Sequence, residues 1–186
     1  YAKGTIQCVL EVPTAGIRRG VYTGTWEEIN YDLDIWMVTA ARPDYTLGET
    51  HMCIYGHNHT AQDLSFNRLK DVEVGDAFYL TAESGRYTYR VTNVFAVSRD
   101  EATRNYVDNF SIGSDKCYII TCGRDDGVKN YRYLDLIVEG TLEEQMPLLE
   151  YAKIRQQSGA KQIKKQSGSK VICTQFSWTP GQNLNN

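Results

Sequence analysis

A mainly β domain, either a closed barrel or a sandwich, is the fold this sequence predicts. Short apolar runs of strand length recur between turn-forming glycines and polar clusters. Thirteen tyrosines and only four prolines suit pleated strands better than helices or disorder. Helical signals in the body are few and short.

Taken in order, "GTIQCVLEVP" (4–13) is a strand ended by proline, and "GIRRGVYTG" (16–24) is a second bounded by glycines. "TWEEINYDLDIW" (25–36) opens with Thr25 and carries Glu28 three positions on, the capping-box spacing of a short helix. "HMCIYGHNH" (51–59) reads as a buried strand ending near Gly56. "DLSFNRLKDV" (63–72) places apolar residues at 64, 66, 69 and 72, which predicts a short amphipathic helix from Asp63. "GDAFYLTAESGRYTYRVTNVFAVS" (75–98) alternates on both sides of "ESG" and predicts a hairpin. A polar connection follows over 98–116, long for a structureless loop and of the kind that carries function. Strands over 117–122 and 131–138, joined by "GRDDGVKN", complete a body spanning 1–140. Residues 141–186 are expected to form an extension: a helical stretch despite Pro147, a polar segment, and a terminal "VICTQF" strand docked on the body.

The chain has 186 residues, enough for one domain with a sizeable core. Its net charge of −3 argues against nucleic acid as a partner, and the basic run 153–170 reads as a solvated face. No apolar stretch is long enough to span a membrane, and no signal peptide is visible. Because the chain opens on Tyr1, it is expected to be a trimmed or processed ectodomain whose membrane anchor lies outside it. Five cysteines leave at least one thiol unpaired within the chain. Their spacing matches neither a zinc ribbon nor a CxxC motif, and no cofactor or metal is expected.

Cys122 ends an apolar run and stands before charge and glycine. Cys117, an odd number of positions away, faces the other side of a regular strand and reads as structural, as do Cys8 and Cys53. Cys173 stays undecided. Across the final hairpin two registers are open. One opposes Cys122 with Arg132, Ile120 with Leu134 and Tyr118 with Leu136; the other opposes Cys122 with Tyr131. The first sets a guanidinium beside a thiol, where it stabilises a thiolate or an oxyanion; otherwise Arg132 is a solvated strand-end residue. His57 and His59 follow a glycine at a strand end and are candidate proton carriers, with His51 less well placed.

The order of motifs resembles the sortases, cysteine transpeptidases of bacterial cell surfaces. It runs from "TIQCVLEVPTAGI" through "GH", a helix with "F..L", "GD.F.L", a "Y.V" strand and "ITC", to an arginine near the last strand, and covers residues 4 to 140. The resemblance implies a closed antiparallel barrel of about eight strands. It implies Cys122 as nucleophile, His57 as the "GH" histidine and Arg132 as oxyanion stabiliser. Substrate contacts are then expected from Thr121, beside the nucleophile, and from Tyr106, Val107 and Phe110 in the connection. The implied partners are a sorting-signal peptide of LPXTG or NPQTN type and an amine acceptor from a cell-wall precursor or a pilin. The "YGHN" phrasing and the ten-position step from Cys122 to Arg132 are closest to class B, with class D as the rival. "YIITC" departs from the family's "TLxTC" at Tyr118, which bears on substrate preference.

Other readings carry less. The letters "HNH" at 57–59 are adjacent, whereas that nuclease family spreads them over a long motif. His51, Cys53, His57 and His59 lack the usual zinc spacing. A papain-like peptidase places its cysteine before its histidine, the reverse of the order here. A non-catalytic sortase-like binding module and a purely hydrolytic enzyme are the remaining alternatives.

Overall fold

The computed structural model describes residues 1–58, 66–122 and 134–166, with the backbone alone from 159 onward. Its strands are β1 (Thr5–Val12), β2 (Ile17–Thr23), β3 (Val38–Ala40), β4 (Met52–Tyr55), β5 (Ala77–Ala82), β6 (Gly85–Ser98), β7 (Lys116–Cys122) and β8 (Leu134–Met146). They close into a barrel in the order β1-β2-β3-β4-β7-β8-β6-β5, with β5 pairing back onto β1. The closed eight-stranded barrel is the expected one. Two of its neighbours run parallel, however: β2 with β3 and β4 with β7. Parallel neighbours need a crossover. Helix α1 (Trp26–Asp34) makes the first, and the β5–β6 hairpin with its connection makes the second.

Alternation builds the interior. Cys8, Leu10 and Val12 of β1, Phe78 and Leu80 of β5, and Tyr87, Tyr89 and Val91 of β6 all point into the core. Phe78 and Tyr89 stack there with ring centres 5.1 Å apart. The hairpin turns through Glu83 and Ser84, and Gly85 follows with φ of +142°, which side chains disfavour. The capping box at α1 forms as predicted, with Thr25 accepting from the Glu28 amide and Glu28 accepting from the Thr25 amide.

Several elements differ from expectation. β3 has no counterpart among the predicted strands; three residues, all buried, are too few to show a period. The segment expected as a helix over 63–72 contains only a 3₁₀ turn, Leu69–Asp71, among its described residues. The connection after β6 is not a loop: it begins with helix α2 (Arg99–Ala102) and continues as a π-helical turn, Thr103–Val107. Thr141–Met146, expected as the start of a helical extension, continues β8 and pairs with β6 from Leu142↔Tyr89 to Met146↔Arg86. Helix α3 (Leu148–Gln166) starts only after Pro147, as a residue without an amide hydrogen allows. Tyr1–Tyr151 forms one compact unit, and the chain from Ala152 belongs to a second. The expected terminal strand and Cys173 lie outside the described residues.

The β7–β8 register also differs from both alternatives. Cys122 stands opposite Asp135, Ile120 opposite Ile137 and Tyr118 opposite Glu139. The reason lies on the other side of β8. β6 pairs with it along nearly its whole length, and Gly140 passes close under the Phe78 and Tyr89 side chains. β8 is therefore seated by β6 and the core.

Candidate active site

The site grows from the parallel β4–β7 pair. Met52 is level with Cys117 and Tyr55 with Ile120. Continued two residues past β4, the same register brings His57 level with Cys122. Three hydrogen bonds tie the strand ends together. The Gly56 amide donates to the Ile120 carbonyl (3.2 Å), the Thr121 hydroxyl to the Gly56 carbonyl (2.7 Å), and the Asn58 side-chain amide to the Cys122 carbonyl (2.8 Å). A Cβ on residue 56 would come within 2.7 Å of the Phe66 ring, so glycine is what fits at this turn.

His57 is oriented by its own contacts. Nε2 donates to the Leu33 carbonyl at 2.9 Å, and the ring packs on Trp36 at 4.6 Å between centres. That bond assigns the hydrogen to Nε2 and leaves Nδ1 as the nitrogen that exchanges a proton.

Cys122 is half-buried at the end of β7, and its Sγ accepts a hydrogen bond from Arg99 Nη2 at 3.0 Å. Arg99 also pairs with Asp135 Oδ1 at 3.5 Å. The Asp135 carboxylate, and secondly Cys122, hold the Arg99 guanidinium more firmly in its charged form. Burial pushes the Asp135 carboxyl above its usual range, with Arg99 partly opposing. A cavity of about 250 Å³ opens here, lined by Leu33, Tyr55, His57, Arg99, Cys122 and Asp135 among others. A half-buried thiol, an imidazole and a guanidinium on one small cavity can support acyl transfer through sulfur.

The other described thiols are placed differently. Burial pushes Cys8 and Cys53 up to about 12 and Cys117 well above the ordinary thiol value. They stay protonated in the core.

The structure thus brings two of the sequence-predicted catalytic residues, Cys122 and His57, to one cavity. Thr121 also lines it, but its hydroxyl is committed to Gly56 rather than free for a ligand. The three expected groove contacts in the connection sit elsewhere. Val107 is buried in the core, Tyr106 packs on Phe95 and Tyr118, and the Phe110 ring lies against Arg42. Tyr106 and Val107 serve as anchors: their carbonyls accept from His51 Nε2 (2.7 Å) and the Tyr45 hydroxyl (2.5 Å). His51 is buried there, with its pKa lowered by that burial. The connection meets the cavity through Arg99 and Thr103 instead. Arg132 and His59 lie outside the described residues. Among the described residues, no group of three or more His, Cys, Asp or Glu side chains gathers around a metal-sized space.

Sequence reasoning does not reach Arg99, Thr103 or Asp135. The one signal for them is "SRDE", whose Ser98-to-Glu101 spacing marks a helix start and puts Arg99 in its first turn.

Asp135 gives a pH test. A carboxyl whose folded value is raised binds more protons folded than unfolded, so its contribution to stability is full below the ordinary carboxylate range and is lost as pH rises through the raised value. The melting temperature of Asp135→Asn, minus that of the parent, is expected to climb as pH rises from below about 4 towards 7. A difference that falls over that interval would mean the pairing with Arg99 outweighs burial.

The sortase domain family matches residues 10–143. Solved structures with the same fold include sortase A of Listeria monocytogenes, with 24% identity, 77% of this chain and 90% of that chain covered, and a TM-score of 0.62. Sortase C1 of Streptococcus agalactiae is similar at 22% identity over 74% of this chain and 67% of that one, with a TM-score of 0.57. Clostridium perfringens sortase C, solved with the C-terminal cell wall sorting motif, is similar at 23% identity over 76% and 72%, with a TM-score of 0.57. No curated protein sequence matches. The barrel holds a thiol at the end of one parallel strand and an imidazole just past the end of its neighbour, both lining one cavity. The chain belongs to the sortase family, the sortase-type cysteine transpeptidases. Structures of sortases A and C match this fold alike, so the fold does not single out a class.

Proposed function

We propose that this chain cleaves a C-terminal sorting signal of LPXTG or NPQTN type after its threonine and transfers the new carboxyl end to an amine. The acceptor is a cell-wall precursor or a pilin lysine, and the work is done at the outer face of the cytoplasmic membrane. The observation that carries this reading is the β4–β7 register, which sets His57 beside Cys122 at a cavity. The sorting motif present in the Clostridium perfringens sortase C structure supports the substrate class. Among the described residues, no helix is long and apolar enough to cross a membrane.

The steps follow from the groups present. The Cys122 thiolate forms a bond to the threonine carbonyl carbon, and the carbonyl π electrons move to oxygen. An arginine stabilises the resulting oxyanion. The resemblance points to Arg132 for this, and the contact with Sγ is made by Arg99. When the oxyanion collapses, the C–N bond breaks and the leaving nitrogen takes a proton from His57. The thioester is then attacked by the acceptor amine, which gives up a proton to His57, and the thiolate leaves.

A mass-spectrometric transfer assay tests the proposal. The protein and Cys122→Ala would be incubated with a pool of sorting peptides and triglycine or hydroxylamine. An amine-capped peptide from the parent alone is expected. Cleavage without capping would make the enzyme a hydrolase, and neither product nor an acyl adduct on Cys122 would move it towards a binding module.

A further inference from the structure

We propose that His51 is a proton-controlled latch on the connection between β6 and β7. Neutral, it holds the carbonyl end of the turn that walls the active-site cavity; protonated, it lets that end go. The latch rests on the contacts of His51, and its consequence for a sorting peptide rests on the function proposed above.

The turn itself creates the need for a latch. Thr103–Val107 is a single π-helical turn, closed by the Asp108 amide donating to the Thr103 carbonyl at 2.8 Å. The carbonyls of Tyr106 and Val107, at its end, find no partner within the turn. Side chains from outside the connection meet them. His51, just before β4, donates from Nε2 to the Tyr106 carbonyl at 2.7 Å, and the Tyr45 hydroxyl donates to the Val107 carbonyl at 2.5 Å. With its hydrogen committed there, the Tyr45 oxygen is an acceptor towards His51 Nε2, at 3.2 Å. Both neighbours of Nε2 accept, which assigns the ring hydrogen to that nitrogen. At the other end of the same turn, Thr103 lines the cavity beside Cys122.

The second ring nitrogen makes the arrangement sensitive to protons. His51 is 1% exposed, and among the described residues its Nδ1 is buried with no hydrogen-bond partner. A proton on Nδ1 would add a charged N–H that leaves water and gains no acceptor. The titratable and charged groups around the ring are Arg42 and Tyr45 from the loop after β3, Cys53 on β4, Tyr118 on β7, and Tyr106 and Asp108 in the connection. Asp44 and Asp108 both pair with Arg42, so neither carboxylate is left over for an imidazolium. Burial lowers the pKa of His51 below the ordinary 6.5; the Tyr106 carbonyl partly opposes, and Arg42 adds to the burial.

The direction follows from linkage. A base whose value is depressed in the closed state takes up a proton on opening. The closed turn is therefore most stable above about pH 6.5 and loses stability as pH falls below it. The opening equilibrium gains up to about tenfold per pH unit until the depressed value is reached. Asp135, raised by burial, gains on acidification and works in the opposite direction.

Hydrogen exchange of the whole chain, read by peptide mass spectrometry and corrected for the intrinsic rate at each pH, tests the latch. In the parent, protection of peptides over 103–108 is expected to fall about five- to tenfold from pH 7 to pH 5.5, while the β5–β6 hairpin keeps its protection. His51→Gln keeps an amide donor for the Tyr106 carbonyl but does not titrate, so it should match the parent at pH 7 and stay flat to pH 5.5. Tyr45→Phe removes the bond to Val107 but not the titrating ring. It should be less protected at every pH and keep the parent slope. A flat parent profile, an equal slope in His51→Gln, or a parallel loss in the β5–β6 hairpin overturns the latch. Exchange needs no peptide, so a chain that transfers nothing yet shows the expected profiles removes the proposed function and leaves the latch standing.

Discussion

His57→Ala is expected to lower kcat/KM for peptide transfer by about 10²–10⁴, the range for losing a general acid–base group. The fold should survive the change. His57 lies beyond the end of β4, and the bonds joining Gly56 and Asn58 to β7 do not involve its ring. The loss has a specific cause that can be isolated. If His57 protonates the leaving nitrogen, then a substrate whose scissile amide is replaced by an ester, with a far less basic leaving oxygen, should need it much less. Single-turnover acylation of Cys122 by matched amide and ester peptides makes the comparison. The variant should be slow on the amide and close to the parent on the ester. Equal losses on both would mean that His57 acts on the thiol or on placement, and a variant within about threefold of the parent on the amide would remove it from the chemistry.

Phe78→Ala is expected to cost about 3–5 kcal/mol of stability, the range for emptying a buried aromatic site. Phe78 has no exposed surface, stacks on Tyr89, and lies over Gly140 of β8. The surrounding strands are closed into a ring, which limits how far they can collapse into the cavity left behind. Urea unfolding of Phe78→Ala and Phe78→Leu would measure it, with the smaller loss expected for leucine. A loss under about 1 kcal/mol for alanine would show that the ring is not a packing centre. The consequence reaches the active site, because the same ring fits against the glycine of the strand that sets Asp135 opposite Cys122.

Much of the barrel is legible in the residues themselves. β5 and β6 alternate on both sides of their turn, β1, β2 and β7 are short runs bounded by proline, glycine or charge, and the α1 start carries a capping box. β3 is not legible, because three buried residues hold no period. The strand at 141–146 reads as helix because "TLEEQM" has a helix-forming composition, and its pairing with β6 overrides that preference. The cysteine and the histidine are legible as strand-end residues in family order. Their partner is not, since Arg99 sits in a polar stretch 23 positions before Cys122, and nothing local marks it as a partner of the thiol.

The division has one physical reason. Periodicity, capping and turn chemistry act over a few residues, so the sequence by itself determined the β character, most strand positions, the buried thiols and the two reacting candidates, Cys122 and His57. Register between distant strands is decided by what the whole core buries. Only the closed barrel, with β8 seated by β6 and Phe78, could put Asp135 opposite Cys122 and bring Arg99 to its sulfur.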